Sequence, residues 1–360
     1  MRAGHYTLLL LMACGSEGAQ GPEGTQGPMG EMGTMGVKGD PGEPGADGQL
    51  RIYGDGSAGE LHVTSGGFLF NGQIAADGNP QFTDVTIDAG VTLTVSSGAI
   101  IRCTGTFTNN GTIAIQDGAA GGFATNAASA ASAGMVPGTN SANPGVAGRA
   151  ALSGELGDAT GSRAGGPGGS SMAANQARML LRPGFFGGGG GGAGVAEAIS
   201  GGQGGGSFVV LARGDIVNAG TIDADGFAAV SGGGNGAGGV VLLASPASIT
   251  NTGTITANGA SGSNGNTRDA PGGGGGGGIV HLLAPVITAG TISVAGGLGG
   301  PAQAPGSITA ATRSGGGGGG GCGGNGATGG SALTTGASTA GGTGGTGHSF
   351  QSLLDPTALL

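Results

Sequence analysis

From residue 84 onward, apolar and polar positions alternate in short runs: Asp84-Val85-Thr86-Ile87, Val91-Thr92-Leu93-Thr94-Val95, Ile101 to Phe107, and Thr112-Ile113-Ala114-Ile115. A period of two over so few residues is the pattern of half-buried strands. Each run stops at a turn signal: Asp88-Ala89-Gly90, Ser96-Ser97-Gly98, Asn109-Asn110-Gly111 and Asp117-Gly118. Strands this short at such intervals suit a β-solenoid or a compact β-sandwich.

Further along, the pattern becomes a repeat. Ile216-Val217-Asn218-Ala219-Gly220-Thr221-Ile222-Asp223-Ala224-Asp225-Gly226 returns as Ile249-Thr250-Asn251-Thr252-Gly253-Thr254-Ile255-Thr256-Ala257-Asn258-Gly259. A looser copy runs from Val286 through Gly290 to Gly296, and Asn110-Gly111-Thr112-Ile113 is an earlier echo. From Gly220 to Gly253 is 33 residues and from Gly253 to Gly290 is 37. An apolar strand precedes each copy: Phe208 to Leu211, Val240 to Leu243, and Ile279 to Leu283. Glycine precedes each strand, up to the seven residues Gly272 to Gly278. Such a word, recurring at a few tens of residues, is the signature of stacked repeats.

An unbroken apolar strand implies cover on both faces, and glycine runs are candidates to supply it. Lacking side chains, they can pack as polyglycine II through close backbone contacts. Ordering them is costly, about 0.5 to 1 kcal/mol more per residue than alanine, so flexible glycine loops on an ordinary solenoid are the alternative. Residues 119 to 204 carry no repeat word and read as a surface loop or disordered insert. It holds Arg149, Arg163, Arg178 and Arg182. After the run Gly315 to Gly321 no strand is expected, and Phe350 to Leu360 reads as a cap for the open end.

The segment from Gly15 to Gly48 follows a different rule. Glycine stands at 15, 18, 21, 24, 27, 30, 33, 36, 39, 42, 45 and 48, and nowhere between. Three polyproline II strands wound about one axis leave room only for glycine at every third residue, so this segment predicts a homotrimer through residues 15–48. At about 3.1 Å per residue the stalk would be on the order of 100 Å long. Pro22 and Pro28 follow glycines, and Pro41 and Pro44 precede them. The segment resembles collagens and bacterial collagen-like proteins, in which a lysine placed like Lys38 pairs with a carboxylate placed like Asp40 on a neighbouring strand.

The opening MRAGHYTLLLLMAC resembles a bacterial lipoprotein signal peptide whose lipobox is Leu11-Met12-Ala13-Cys14. That resemblance implies secretion, lipidation of Cys14 and attachment at the outer surface of the envelope, with no other membrane contact. The turn cluster Tyr53-Gly54-Asp55-Gly56-Ser57-Ala58-Gly59 resembles one at the start of glycine-rich β-domains in phage tail-fibre tips and bacterial surface proteins.

Composition narrows the function classes. The chain has 95 glycines in 360 residues, no tryptophan and a formal charge of −9 with Lys38 as its sole lysine. That balance argues against nucleic acid as a partner. Glycine-rich fingerprints for nucleotides carry no weight, because none opens a helix pattern. No cofactor is implied. Asp223 and Asp225 could offer carboxylates to calcium, but a solvated turn explains them better. Asp84, Asp88, Asp215, Asp223 and Asp225 are the acids to check for the paired carboxylates of a polysaccharide-degrading solenoid. His281, among valine and leucine, reads as a hydrogen-bonded strand residue. Cys103 and Cys322 could pair in an oxidising compartment or remain separate thiols.

The sequence thus predicts an all-β protein with few or no helices. Its parts are a signal at 1–14, a collagen-like stalk at 15–48, a strand-rich start of the head at 49–118 and an insert at 119–204. Glycine-rich β-repeats at 205–300 and a tail or cap at 301–360 complete it. The repeat-defining residues are Asn110, Gly111, Asn218, Gly220, Asn251, Gly253 and Gly290. The expected role is non-enzymatic display of the head for adhesion, with a glycan or other surface ligand, or as a structural appendage. A phage tail-fibre tip and a polysaccharide-degrading enzyme are the alternatives.

Overall fold

Every strand is short because a turn signal follows within a few residues, so the chain builds breadth by winding and not by length. A computed structural model describes residues 52–65, 68–70, 81–116, 118–122, 165–166, 168–179, 181, 187–192, 200–308 and 315–360. The signal with Cys14 and the Gly-X-Y segment with Lys38 and Asp40 lie outside the described residues, as do Arg149, Arg163 and Arg182.

The described residues make six coils, each contributing one strand to each of three parallel sheets. The first coil has β1 (Leu61–Val63), β2 (Phe68–Phe70) and β3 (Gln81–Phe82), and the second β4 (Val85–Ile87), β5 (Thr92–Ser96) and β6 (Ala99–Cys103). The third has β7 (Phe107–Asn109), β8 (Thr112–Gln116) and β9 (Ser207–Ala212). The fourth has β10 (Ile216–Asn218), β11 (Thr221–Asp223) and β12 (Val240–Ala244). The fifth has β13 (Ser248–Asn251), β14 (Thr254–Thr256) and β15 (Ile279–Leu283). The sixth has β16 (Val286–Thr288), β17 (Thr291–Ser293) and β18 (His348–Ser352). The architecture is β-solenoid-like, as the alternation predicts, and the sandwich is set aside because every ladder is parallel and joins successive coils.

Parallel, in-register stacking puts like residues above one another. Leu93, Ile113, Ile222 and Ile255 align in the second sheet, Phe107, Ile216 and Ile249 in the first, and Ile101, Val210, Leu243 and Leu282 in the third. These ranks meet as one buried core. Each fully buried aliphatic side chain of this kind contributes about 1.5 to 3 kcal/mol.

In coils three to six the glycine-rich sequence enters at one corner. It leaves the second sheet after β8, β11, β14 and β17 and returns to the third at β9, β12, β15 and β18. The described parts form a hydrogen-bonded bundle. In the run Gly272–Gly278, Gly273 and Gly276 donate to the carbonyls of Gly316 and Gly319, and Gly274 and Gly277 to those of Gly342 and Gly345. Gly272, Gly275 and Gly278 donate to Ser263, Ala260 and Ala257. Successive amides therefore face three different neighbours with a period of three. The carbonyls face three more: Gly273 and Gly276 accept from Asn235 and Gly238, Gly274 and Gly277 from Ala327 and Gly324, Gly272 and Gly275 from Gly300 and Gly297. This settles where the backbone groups of a buried, side-chain-free segment go.

Four expectations need correcting. The insert is not wholly a surface loop: Gly187–Gly192 is buried and bonded to Gly205, Gly202, Gly320 and Gly317. A strand does follow the last glycine run, because β18 pairs with β15. The end of the chain divides: Phe350 to Ser352 belong to β18 at the edge of the third sheet, while Leu360 packs beside Tyr53 against that sheet's outer face. Among the described residues, cover for that face includes side chains, Tyr53, Met172, Ala177 of the short helix α1 (Ala174–Arg178) and Cys322 among them, and so does not come from bare glycine alone.

Candidate functional site

The repeat word Asn-x-Gly-Thr-Ile builds a ladder inside the solenoid. Asn109, Asn218 and Asn251 occupy the same register position on β7, β10 and β13, with relative exposures of 0, 0 and 1 %. Asn109 Nδ2 donates to Asn218 Oδ1 at 2.7 Å, and Asn218 Nδ2 donates to Asn251 Oδ1 at 2.7 Å. The ladder ends are satisfied by the backbone: the Gly111 amide donates to Asn109 Oδ1 at 3.2 Å, and Asn251 Nδ2 donates to the Thr291 carbonyl at 3.4 Å. One coil lower the rank is apolar, with Ile87 opposite Asn109.

This geometry shifts one predicted residue. Asn110 is exposed and stands level with Ala219, while its neighbour Asn109 is the true counterpart of Asn218. The echo therefore starts one residue earlier than Asn110, and Phe107-Thr108-Asn109-Asn110-Gly111-Thr112-Ile113 matches the whole word once phenylalanine is allowed for isoleucine. Gly111, Gly220 and Gly253 stack, and a Cβ on Gly220 would overlap the Gly111 carbonyl oxygen, so the close approach of coils requires glycine there. Gly290 falls in a copy one residue shorter: Ile287 pairs with Ile249, and Thr291 pairs with Thr254.

The acidic residues form a second system, at the corners. The Asp225 amide donates to Asp223 Oδ1 at 2.9 Å, and Thr256 Oγ1 donates to the same oxygen at 3.3 Å. Asp225 accepts from the Asn258 amide at 2.6 Å and from Asn258 Nδ2 at 3.2 Å. Asn258 Oδ1 in turn accepts from Ser293 Oγ at 2.6 Å and from the Ala295 amide at 2.8 Å. Burial pushes the Asp225 carboxyl above its ordinary value, and the Asn258 amide pulls the other way. Asp84 accepts from the Thr106 amide at 2.7 Å and Asp215 from Ser248 Oγ at 2.7 Å. These four carboxylates thus hold a donor on the next coil. Asp88 instead pairs with His62 at 2.9 Å on the surface. Among the described residues no group of three His, Cys, Asp or Glu is placed to hold a metal ion.

Cys103 and Cys322 are both buried and form no disulfide with each other. Cys103 sits in the solenoid core, where burial, with the Asp84 charge second, pushes its thiol up to about 12. Cys322 Sγ donates to the Gly187 carbonyl at 3.2 Å within the bundle. Thiolate is the reactive species, so neither cysteine is expected to react with a maleimide in the folded head, and both should react in denaturant. Rapid labelling of Cys103 without denaturant would contradict its place in the core.

Comparison with known protein families, with curated proteins and with solved structures gives no match.

Proposed function

We propose that the protein is a non-enzymatic display device of a bacterial surface. Cys14 carries the lipid anchor, residues 15–48 form a collagen-like triple helix, and each chain presents a β-solenoid head whose glycine runs form a polyglycine II bundle. The head serves adhesion or a structural appendage. The observation that carries the reading is the unbroken Gly-X-Y period from Gly15 to Gly48, which makes steric sense only in a trimer. A scaffolding role fits the acids: Asp84, Asp215, Asp223 and Asp225 all bind neighbouring coils. Three heads on one stalk would also raise a weak surface contact to useful avidity.

The experiment is sedimentation equilibrium with circular dichroism on residues 15–360 and on a variant lacking 15–48. The reading predicts a trimer with a polyproline-type spectrum for the first and a folded monomer for the second. A monomer in both cases would overturn it.

A further inference from the structure

The outer face of the third sheet holds a buried ionisable group whose surroundings suit only its neutral form. His281 in β15 is 2 % exposed. Its Nε2 lies 2.9 Å from the Ser352 hydroxyl on β18, its ring meets Phe350 edge-on at 5.4 Å between centroids, and its Nδ1 has no hydrogen-bond partner. A neutral imidazole can leave one nitrogen as a bare acceptor, but an imidazolium donates at both. Protonated Nδ1 would have nothing to donate to.

The groups around it oppose a positive charge. From α1, the Arg178 guanidinium lies over the Phe350 ring, 4.8 Å from its centroid. From β18, His348 stacks on the same ring at 5.7 Å. From β12, Leu242 is the register partner, and from the glycine bundle the thiol of Cys322 joins the same apolar cluster as Phe350. Beyond β18 the exposed carboxylate of Asp355 is engaged by Thr357. Burial first, and Arg178 second, hold the His281 pKa down to about 4.

We infer that His281 is an acid-operated latch: on taking up a proton it releases β18, α1 and the residues after β18 from the third sheet, while the coils beneath stay folded. Placement makes the release local. β18 is the edge strand and its ladder is with β15. The residues after it cross the same face, where Thr357 Oγ1 meets the Tyr53 hydroxyl at 2.9 Å. Opening uncovers the apolar face formed by Val240, Leu242, Ile279 and Leu283.

The direction follows from linkage. The closed form, with its lowered pKa, is fully favoured above the ordinary histidine value near 6.5 and loses ground as pH falls, because only the opened form takes up the proton. The loss is nearly complete once pH has passed below about 4. At pH 4 the opening equilibrium should have risen on the order of 100-fold relative to pH 7.

Hydrogen exchange of the whole protein at pH 7, 5 and 4, expressed as protection factors, tests this. His348–Ser352 amides should lose roughly 100-fold protection at pH 4, with Leu242 and Leu243 unchanged, and His281→Leu should abolish the loss. Equal protection at all three pH values, joint loss in β12, or the same acid response in His281→Leu would overturn the latch. Should that variant not fold, the imidazole titration of the native protein decides. A midpoint near 4, with β18 protection falling between about pH 6.5 and 4, supports the latch, and a midpoint near 6.5, or β18 protection unchanged over that range, refutes it.

Discussion

Gly275→Ala is expected to destabilise the head by about 3 kcal/mol or more, the upper end of what overpacking costs. The reason is the density of backbone around the run Gly272–Gly278. Gly275 donates to Ala260 and accepts from Gly297, and a Cβ on it would overlap the carbonyl oxygen of Gly236. That obstacle is main chain, so no rotamer change relieves it, and moving it breaks the hydrogen bonds of at least one neighbouring run. At an unconstrained site the same change stabilises by about 0.4 to 1 kcal/mol, because alanine restricts the unfolded chain. The sign of the effect therefore separates a packed bundle from free loops. Gly345→Ala is the milder comparison, since its added methyl would lie 3.1 Å from the Asn325 nitrogen. Urea midpoints for the two variants measure the difference. Equal or raised midpoints would mean that the runs do not pack.

Asn218→Ala should cost about 2 to 4 kcal/mol, because it removes the centre of a buried ladder. Asn251 Oδ1 loses its donor while Asn109 Nδ2 keeps only the Thr221 carbonyl at 3.2 Å, and a stranded buried group costs about 1 to 3 kcal/mol. The cavity left by the side chain adds to this. Removing the ladder in all three coils together, as Asn109→Val with Asn218→Val and Asn251→Val, is expected to cost far less than three single changes would. Replacing every asparagine by an apolar group leaves no side-chain polar atom stranded, and at the ladder ends the Gly111 amide and the Thr291 carbonyl lose their side-chain partners. Ile87 already occupies the position below. Additive losses across the single, double and triple variants in urea unfolding would show that the asparagines do not act as a unit.

The solenoid was legible because its signals are local and repeated. Alternation marked β4, β5 and β8, and the recurrence of Asn-x-Gly-Thr-Ile marked β10, β11, β13 and β14, each pair stacked in register. What escaped was set by partners distant in sequence. β18 reads His-Ser-Phe-Gln-Ser and has one apolar residue, Phe350, and it becomes a strand because the edge of β15 offers a ladder. The runs of the insert carry no side-chain pattern at all, so their place in the bundle depends on backbone bonds to residues such as Gly317 and Gly320. Asn109 was misplaced because two asparagines stand side by side and only the strand register distinguishes them. The carboxylates show a third case. Asp223 and Asp225 read in the sequence as a solvated turn more than as calcium ligands, and only the stacking of coils shows that Thr256 and Asn258 are their donors.

The solenoid's glycine bundle stands or falls with the order of its glycine. Native-state exchange of the Gly272–Gly278 amides, read beside those of Leu242 and Leu243 in the same sample, tests that most directly. The account predicts that Gly275 and Gly276, bonded to Ala260 and Gly319, exchange as slowly as the core strand β12. Exchange of those amides within seconds, with β12 still protected, would reduce the bundle to loose loops on a solenoid.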